Sequence, residues 1–524
     1  MIAPHILVGA LLGLLPLSIA ATVPNVPRRL PIQPVASTTC HNKVYKYNEL
    51  SGYGFVSADA VDKFNDTVSI GSSIAISQWK KKKGTYTGKL YGLPDRGWNT
   101  QGSQNTIPRV HVFDVTFTPA SGNTASPPNV RFKYDNTILL TGPDGEFCTG
   151  LDADQNGGLD YPGFPTLPAA TYAGDGFGGA GKGGKRIAID AEGLVLNKDG
   201  GFWISDEYGP YVYKFDRNGK MVEAIRPPDA ILPLRVGKPS FSSDTPPIFS
   251  PDQHPAPINP TQGRQNNQGF EGLTASPDGK WLYVLLQSAG RREGGSNAAT
   301  RRYARFLRYS TSASGKKTIV KYDAEYVVPL PVFVDAAGKT KVAAQSEIHF
   351  VSDSQFLILP RDSSVGACTA DPTSVYRHVD VIDISKATNV KGSLHDAFNT
   401  TIANSDGIIN VDIVPATLCS FIDYNINAQL GRFGLHNGPP ATSGLLNEKW
   451  ESLALVPVNG DGDDEKDKND EYFLFTISDN DFITQNGFIN FGKVPYKDAS
   501  GCDLDQQALV FKITLPPNSK PLIG

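Results

Sequence analysis

One hairpin grammar recurs along this chain, and that recurrence constrains the fold more than any other feature. The first clear copy runs Asp190-Ala191-Glu192-Gly193-Leu194-Val195-Leu196, turns at Asp199-Gly200-Gly201, and returns as Phe202-Trp203-Ile204-Ser205-Asp206-Glu207. A second copy is Gly269-Phe270-Glu271-Gly272-Leu273, with a turn at Asp278-Gly279 and a return from Trp281 to Leu285. The third opens at Ser346-Glu347-Ile348-His349-Phe350 and ends at Arg361-Asp362. The fourth opens at Trp450-Glu451-Ser452-Leu453 and ends at Ser478-Asp479-Asn480-Asp481. A degenerate copy, from Gly71-Ser72-Ser73-Ile74 to Leu93-Pro94-Asp95-Arg96-Gly97, precedes them. In each, an apolar strand follows an acidic or small polar opening. An Asp-Gly type turn reverses the chain, and a β-branched and aromatic strand returns to a polar end.

Hairpins of this kind repeated in one chain predict an all-β fold, a β-propeller, in which equivalent strand ends meet at one mouth of a central channel. Six blades are expected, with long inter-blade insertions around residues 97–185, 210–265 and 288–345. On this geometry Glu192, Glu271, Glu347 and Glu451 form an acidic ring, with Asp95, Asp206, Glu207, Asp362, Asp479 and Asp481 nearby. A strand-opening Glu can also cap a turn. Four converging carboxylates, however, repel one another unless a cation, a basic substrate or a proton lies between them. A hard cation such as Ca²⁺, which takes six to eight oxygens, meets that demand.

The segments Asp190-Ala191-Glu192-Gly193-Leu194, Trp203-Ile204-Ser205-Asp206-Glu207-Tyr208-Gly209-Pro210 and Gly269-Phe270-Glu271-Gly272-Leu273 resemble the phytase-like domain family, also described as having the esterase-like activity of phytase, in its secreted, fungal type. The similarity runs from about Gly71 to Asp481. It implies a secreted or periplasmic propeller and a phosphoric-ester hydrolase. The active-site motifs of calcium-dependent propeller phytases find no residue-by-residue match, so their residues are not carried over.

Residues 1–20 read as a signal peptide: the apolar run Ile6 to Leu17 ends in Ser18-Ile19-Ala20-Ala21 and is short for a bilayer span. Residues 21–39 read as a Pro-rich tail, in which Arg28-Arg29 offers a processing site, and 40–524 as one domain. Sequons at Asn65-Asp66-Thr67 and Asn399-Thr400-Thr401 fit a secreted glycoprotein. Of five cysteines, none has C-x-x-C spacing, so two disulfides and one leftover thiol are expected. The pairings expected are Cys368–Cys419 and Cys40–Cys502. A net charge of −4 lacks the basic excess of a nucleic-acid-binding protein. The expected partner is a small-molecule ester or phosphoester, with no nucleic acid, no membrane once the signal is cleaved, and a monomeric chain.

Further motifs carry weaker signals. Asp152-Ala153-Asp154-Gln155-Asn156-Gly157-Gly158-Leu159-Asp160 matches the opening of a calcium loop, so Asp152, Asp154, Asn156 and Asp160 are candidate ligands. Position twelve is Gly163, which excludes a complete EF-hand; an ordinary Asp/Asn/Gly turn is the alternative. The Gly176–Gly183 run lacks the Ser or Thr of a P-loop. The basic cluster Arg291, Arg292, Arg301, Arg302, Arg305 and Arg308, together with Arg96 and Arg361, suits phosphate by guanidinium geometry. His349 lies inside the third repeat. There is no G-x-S-x-G elbow. The expected activity is metal-assisted ester hydrolysis. Glu192, Glu271, Glu347 and Glu451 would hold Ca²⁺ or activate water, supported by Asp206 and Glu207, while Arg96, Arg361, Asp95 and Asp479 bind substrate. A lactonase-like calcium propeller and a non-catalytic binding propeller are the alternatives.

Overall fold

The computed structural model describes residues 1, 33–120, 122, 126–314, 317–366, 368–460 and 470–524. The signal peptide, most of the Pro-rich tail and most of the acidic 461–471 segment lie outside them. Residues 34–524 form one compact unit. No helix among the described residues is long and apolar enough to cross a membrane.

Five antiparallel sheets build the propeller. Four are meanders whose strands follow chain order. The first blade is Ser73–Lys82, Thr85–Leu93, Arg109–Phe117 and Val130–Leu139; the second is Ala191–Leu196, Phe202–Asp206, Val212–Phe215 and Met221–Ile225. The third is Phe270–Ala275, Trp281–Leu286, Tyr303–Ser314 and Lys317–Pro329; the fourth is Ala344–Ser352, Gln355–Arg361, His378–Asp383 and Thr417–Asp423. The closing blade joins both chain ends. From the axis outward it runs Ala454–Pro457, Glu471–Ile477, Gln506–Thr514, Lys43–Val56 and Ala36–Cys40.

The inner strands are apolar on both faces because both are covered. Ala191–Leu196 and Phe270–Ala275 are buried almost throughout. The Asp-Gly turns form as the sequence predicts: Asp199 Oδ1 accepts from Gly201 N at 3.0 Å and Asp278 Oδ1 from Lys280 N at 3.0 Å, while Gly200 and Gly279 take φ of +85° and +72°. The core is distributed between blades. Leu93, Val110, Phe202 and Ile204 pack the first blade on the second; Trp203, Phe270 and Leu282 pack the second on the third. Tyr283, Phe306 and Phe356 join third to fourth, Leu357, Val379 and Phe511 join fourth to closing, and Phe117, Phe473 and Phe475 join closing to first. Each neighbour pair thus buries one shared apolar layer, and the ring closes at five.

Two expectations are corrected here. The propeller has five blades among the described residues, not six. The segments taken as insertions contain outer strands, such as Val130–Leu139 and Lys317–Pro329. These strands lack the acidic opening because they never reach the axis. The disulfides pair Cys40 with Cys419 and Cys368 with Cys502, leaving Cys148 buried and free. Cys40 ends the outermost strand of the closing blade, beside the outer strand of the fourth, so its partner is the lateral neighbour and not the other end of the chain.

Candidate functional site

Strand register decides which side chains meet at the channel mouth. Ala191 pairs with Asp206, Phe270 with Leu286, and Trp450 with Ser478. The next residue on each opening strand is Glu192, Glu271 or Glu451. The next on each return strand is Glu207, Gln287 or Asp479. In all three blades that return residue donates its backbone N–H to the carbonyl two residues before the Glu. Glu207 bonds Asp190 at 2.9 Å, Gln287 bonds Gly269 at 2.9 Å and Asp479 bonds Lys449 at 2.7 Å. In the fourth blade Gln345 pairs with Pro360, which puts Ser346, not Glu347, at the ring position, with Arg361 opposite. Glu347 stands one residue later, where Gly193 and Gly272 stand in their blades, and a one-residue slip turns a strand side chain to the other face.

The mouth therefore collects Asp95, Asp190, Glu192, Glu207, Glu271, Glu451, Asp479 and Asp481, with Arg96, Arg361 and Lys449 among them. Lys449 Nζ lies 2.7 Å from Asp479 Oδ2, 2.5 Å from Asp481 Oδ1 and 3.8 Å from Glu451 Oε1. Arg361 pairs with Glu451 and Arg96 Nη1 lies 2.9 Å from Asp190 Oδ2. Glu271 accepts from the Gln287 side-chain amide. All of these carboxylates are nearly sealed from solvent except Asp481, whose side chain is 23% exposed, as is that of Lys449. Ligand oxygens of Asp190, Glu192 and Glu207 lie within 4.8 Å of one another, and so do those of Asp95, Asp479 and Asp481.

The two groups differ in electrostatics. In the second, the Lys449 ammonium overrides burial at Asp479 and holds its carboxyl below the usual range, while burial and then Asp479 hold Asp95 well above it and burial raises Asp481. In the first, burial and then Glu271 and Asp190 push Glu192 well above the usual carboxylate range. Burial and then Asp190 raise Glu207 to about 8. Neither oxygen of Asp190, nor Oε1 of Glu207, accepts an aligned hydrogen bond, although both residues are 1% exposed. Buried polar oxygens are normally satisfied; here Arg96, paired with Asp190, is set against three carboxyls, and Glu207 Oε1 is left without a hydrogen bond.

The remaining sequence candidates sit elsewhere. Glu347 Oε2 accepts from Ser73 Oγ at 2.6 Å, and its Oε1 accepts from Leu273 N and Ile348 N. It bolts three blades together across the axis. Asp206 accepts from Asp190 N, Tyr208 N, Gly209 N and Tyr213 Oη, and clamps the turn after its strand. Asp362 does the same with Ser374 Oγ, Val375 N and Tyr376 N. The Asp152–Asp160 loop does not converge on a point. Asp152 accepts from Ser242 Oγ, Ser243 N and Thr245 N, Asp154 from Thr171, and Asp160 from Thr166. Gln155, beside Asn156, instead bonds the backbone of Ala256. Arg305 is buried between Glu293 and Glu325 and also donates to His395 O, Arg308 pairs with Asp323, and Arg292 donates to Asn399, so these arginines are taken up by framework contacts of the third and fourth blades. His349 bonds Leu522 O at 2.9 Å, at the opposite end of the channel. That end is a separate cavity of about 640 Å³ lined by Ile74, Leu194, Leu273, Ile348 and Leu453.

Asp190 and Lys449 were not read from the sequence as site residues. Their signal was present: each stands two residues before a repeat Glu, and in a strand alternate residues share a face.

Comparison with known proteins gives the family. Residues 80–482 match the model of the Phytase-like family, described as esterase-like activity of phytase. The chain is 50% identical over 489 residues to an uncharacterized secreted protein of Arthroderma benhamiae, covering 90% of this chain and 94% of that one. Among solved structures it is similar to one named as a gluconolactonase (8% identity, 90% of this chain and 94% of that chain, TM-score 0.22). Another is the α-L-arabinofuranosidase PaAbf62A from Podospora anserina (11% identity, 88% and 97%, TM-score 0.26). Superpositions this loose carry nothing about this chain, whose propeller rests on its own strand pairings. The chain is secreted, and its two disulfides suit an oxidising compartment.

Proposed function

From the chain's membership of the phytase-like family, we propose that it is a secreted hydrolase cleaving a small-molecule phosphoester at the channel mouth with the help of a bound hard cation. The observation that carries this reading is the group Asp190, Glu192 and Glu207: three buried carboxyls close together, with Asp190 paired to Arg96 and Glu207 Oε1 without a hydrogen bond. The donor set is all oxygen, which suits Ca²⁺. Asp190, Glu192 and Glu207 would hold the ion. When bound, it supplies stabilisation of negative charge on the ester oxygens.

The chain's own residues do the rest. Arg361 is partly exposed beside Glu451, so its guanidinium is placed to bind an anionic oxygen of the substrate. Glu271 is fixed at one oxygen by Gln287 and held well above the usual carboxylate range, first by burial and then by Glu207 and Glu451. A carboxyl so placed carries a proton to the leaving oxygen and takes one from water. Glu347, Asp206 and Asp362 hold the framework and take no part in the chemistry.

The test is a panel of phosphomonoesters, carboxyl esters and lactones, assayed with Ca²⁺ and then with chelator, alongside Ca²⁺ calorimetry on wild type and Glu192→Gln. The expected result is turnover of a phosphomonoester that chelation abolishes. E192Q should weaken Ca²⁺ binding by at least about 100-fold, the upper end of what even outer partners of a metal ligand contribute. Turnover indifferent to both chelator and E192Q would overturn the reading. Ca²⁺ binding with no turnover in any class would make the propeller a binding module.

A further inference from the structure

We propose that the Lys449 ammonium is a tethered cation, standing where the closing blade would otherwise bind a metal ion. The mouth then has two cation positions, one filled covalently by the chain and one left for a soluble ion; the second half of this statement rests on the function proposed above.

The register carries the inference. Asp190-Ala191-Glu192 in the second blade and Lys449-Trp450-Glu451 in the closing blade occupy equivalent backbone positions. Ala191 and Trp450 each pair with the last residue before Glu207 and Asp479, respectively. The same backbone bond, Glu207 N to Asp190 O and Asp479 N to Lys449 O, locks both corners. Three equivalent positions thus read Asp, Glu, Glu in one blade and Lys, Glu, Asp in the other. A single exchange of carboxylate for ammonium separates a group that borrows Arg96 from the first blade from one that supplies its own cation.

The surroundings of Lys449 are those of a bound cation. Its Nζ lies 2.7 Å from Asp479 Oδ2, 2.5 Å from Asp481 Oδ1 and 3.8 Å from Glu451 Oε1. Asp95 brings a further oxygen within 4.8 Å of those of Asp479 and Asp481. In the second blade Asp190 stands in place of the ammonium; its carboxylate is ion-paired at 2.9 Å with Arg96, which comes from the first blade, and Glu207 Oε1 stays without a hydrogen bond. The third blade shows a different solution at the same positions: Gly269, Glu271 and Gln287, where a neutral amide serves the single acid. Equivalent corners are therefore balanced by a fixed ammonium, by an amide, and, in the second blade, by nothing of their own strands.

A tethered cation cannot be chelated, so the closing-blade half of the mouth keeps its charge balance without calcium. Deleting the ammonium should convert that half into an ion site. The experiment is calorimetric titration of Ca²⁺ into the chelator-treated full-length protein as wild type, Lys449→Gln and Lys449→Asp, with folding checked by circular dichroism. Both variants are expected to bind one more Ca²⁺ than wild type, K449D more tightly because it restores the Asp, Glu, acid triplet. Adding Asp190→Asn to either background should remove one ion. Folded variants with an unchanged ion count would overturn the inference. If the variants unfold without calcium, added Ca²⁺ is expected to refold them, and failure to do so would equally overturn it. A wild type that binds no ion beside a K449D that binds one would remove the function proposed above and leave this inference standing.

Discussion

Glu347 shows how one position in a strand separates a framework carboxyl from one at the channel mouth. It has the same side chain as Glu271 and opens a repeat of the same form. One residue of register puts it at the place of Gly272, facing the Ser73 hydroxyl and two backbone amides. Burial raises its carboxyl to about 8, against the pull of those donors. Its ordinary value, the one it keeps in the unfolded chain, is 4.5. A folded-state value above the unfolded one means that the protonated group favours folding. That contribution is complete below about pH 4.5 and is lost as pH rises through about 8. Glu347→Gln keeps an oxygen that accepts from the two amides, puts an amide N–H₂ where an oxygen accepts from Ser73 Oγ, and does not titrate. Thermal unfolding from pH 5 to 8 is therefore expected to show wild type losing stability relative to E347Q, and parallel curves would refute this assignment.

At the scale of the element, the inner strands of the second and third blades approach so closely that only the smallest residue fits beside Glu192. A Cβ on Gly193 would stand 2.5 Å from Leu273 Cβ and 2.7 Å from Glu271 O, in the neighbouring blade. Gly193→Ala should therefore force the second and third blades apart. The expected loss is about 1–3 kcal/mol, the usual cost of overpacking, read from the urea midpoint. Ca²⁺ affinity should fall with it, because Glu192 is the next residue. The Glu-Gly-Leu signature was legible as a repeat, and its hairpin turns at Asp199 and Asp278 formed where the residues demand them. The outer strands were not legible. Val130–Leu139 alternates buried and exposed residues like any surface strand, and nothing local says to which sheet it belongs.

At the scale of the molecule, closure of the ring is what brings the mouth together, and the chain ends supply it. The closing blade takes two strands from the beginning of the described chain and three from its end. The Cys40–Cys419 bridge then fastens its outermost strand to the fourth blade, over a separation of 379 residues. A Cys40→Ser, Cys419→Ser double variant is expected to lose about 2–4 kcal/mol in chemical unfolding, the usual worth of a native bridge across a long loop. An unchanged midpoint would mean that strand pairing alone holds the blade. The pairing itself was not foreseeable from cysteine spacing, since it depends on which blade lies beside which. Composition, hairpin grammar and acidic openings were sufficient to determine from sequence that this is a propeller with carboxylates at its axis, because strand alternation and turn chemistry are local. The number of blades and the exclusion of Glu347 from the mouth were decided only by tertiary structure. Each depends on register between strands, and register is set by how whole blades pack against one another.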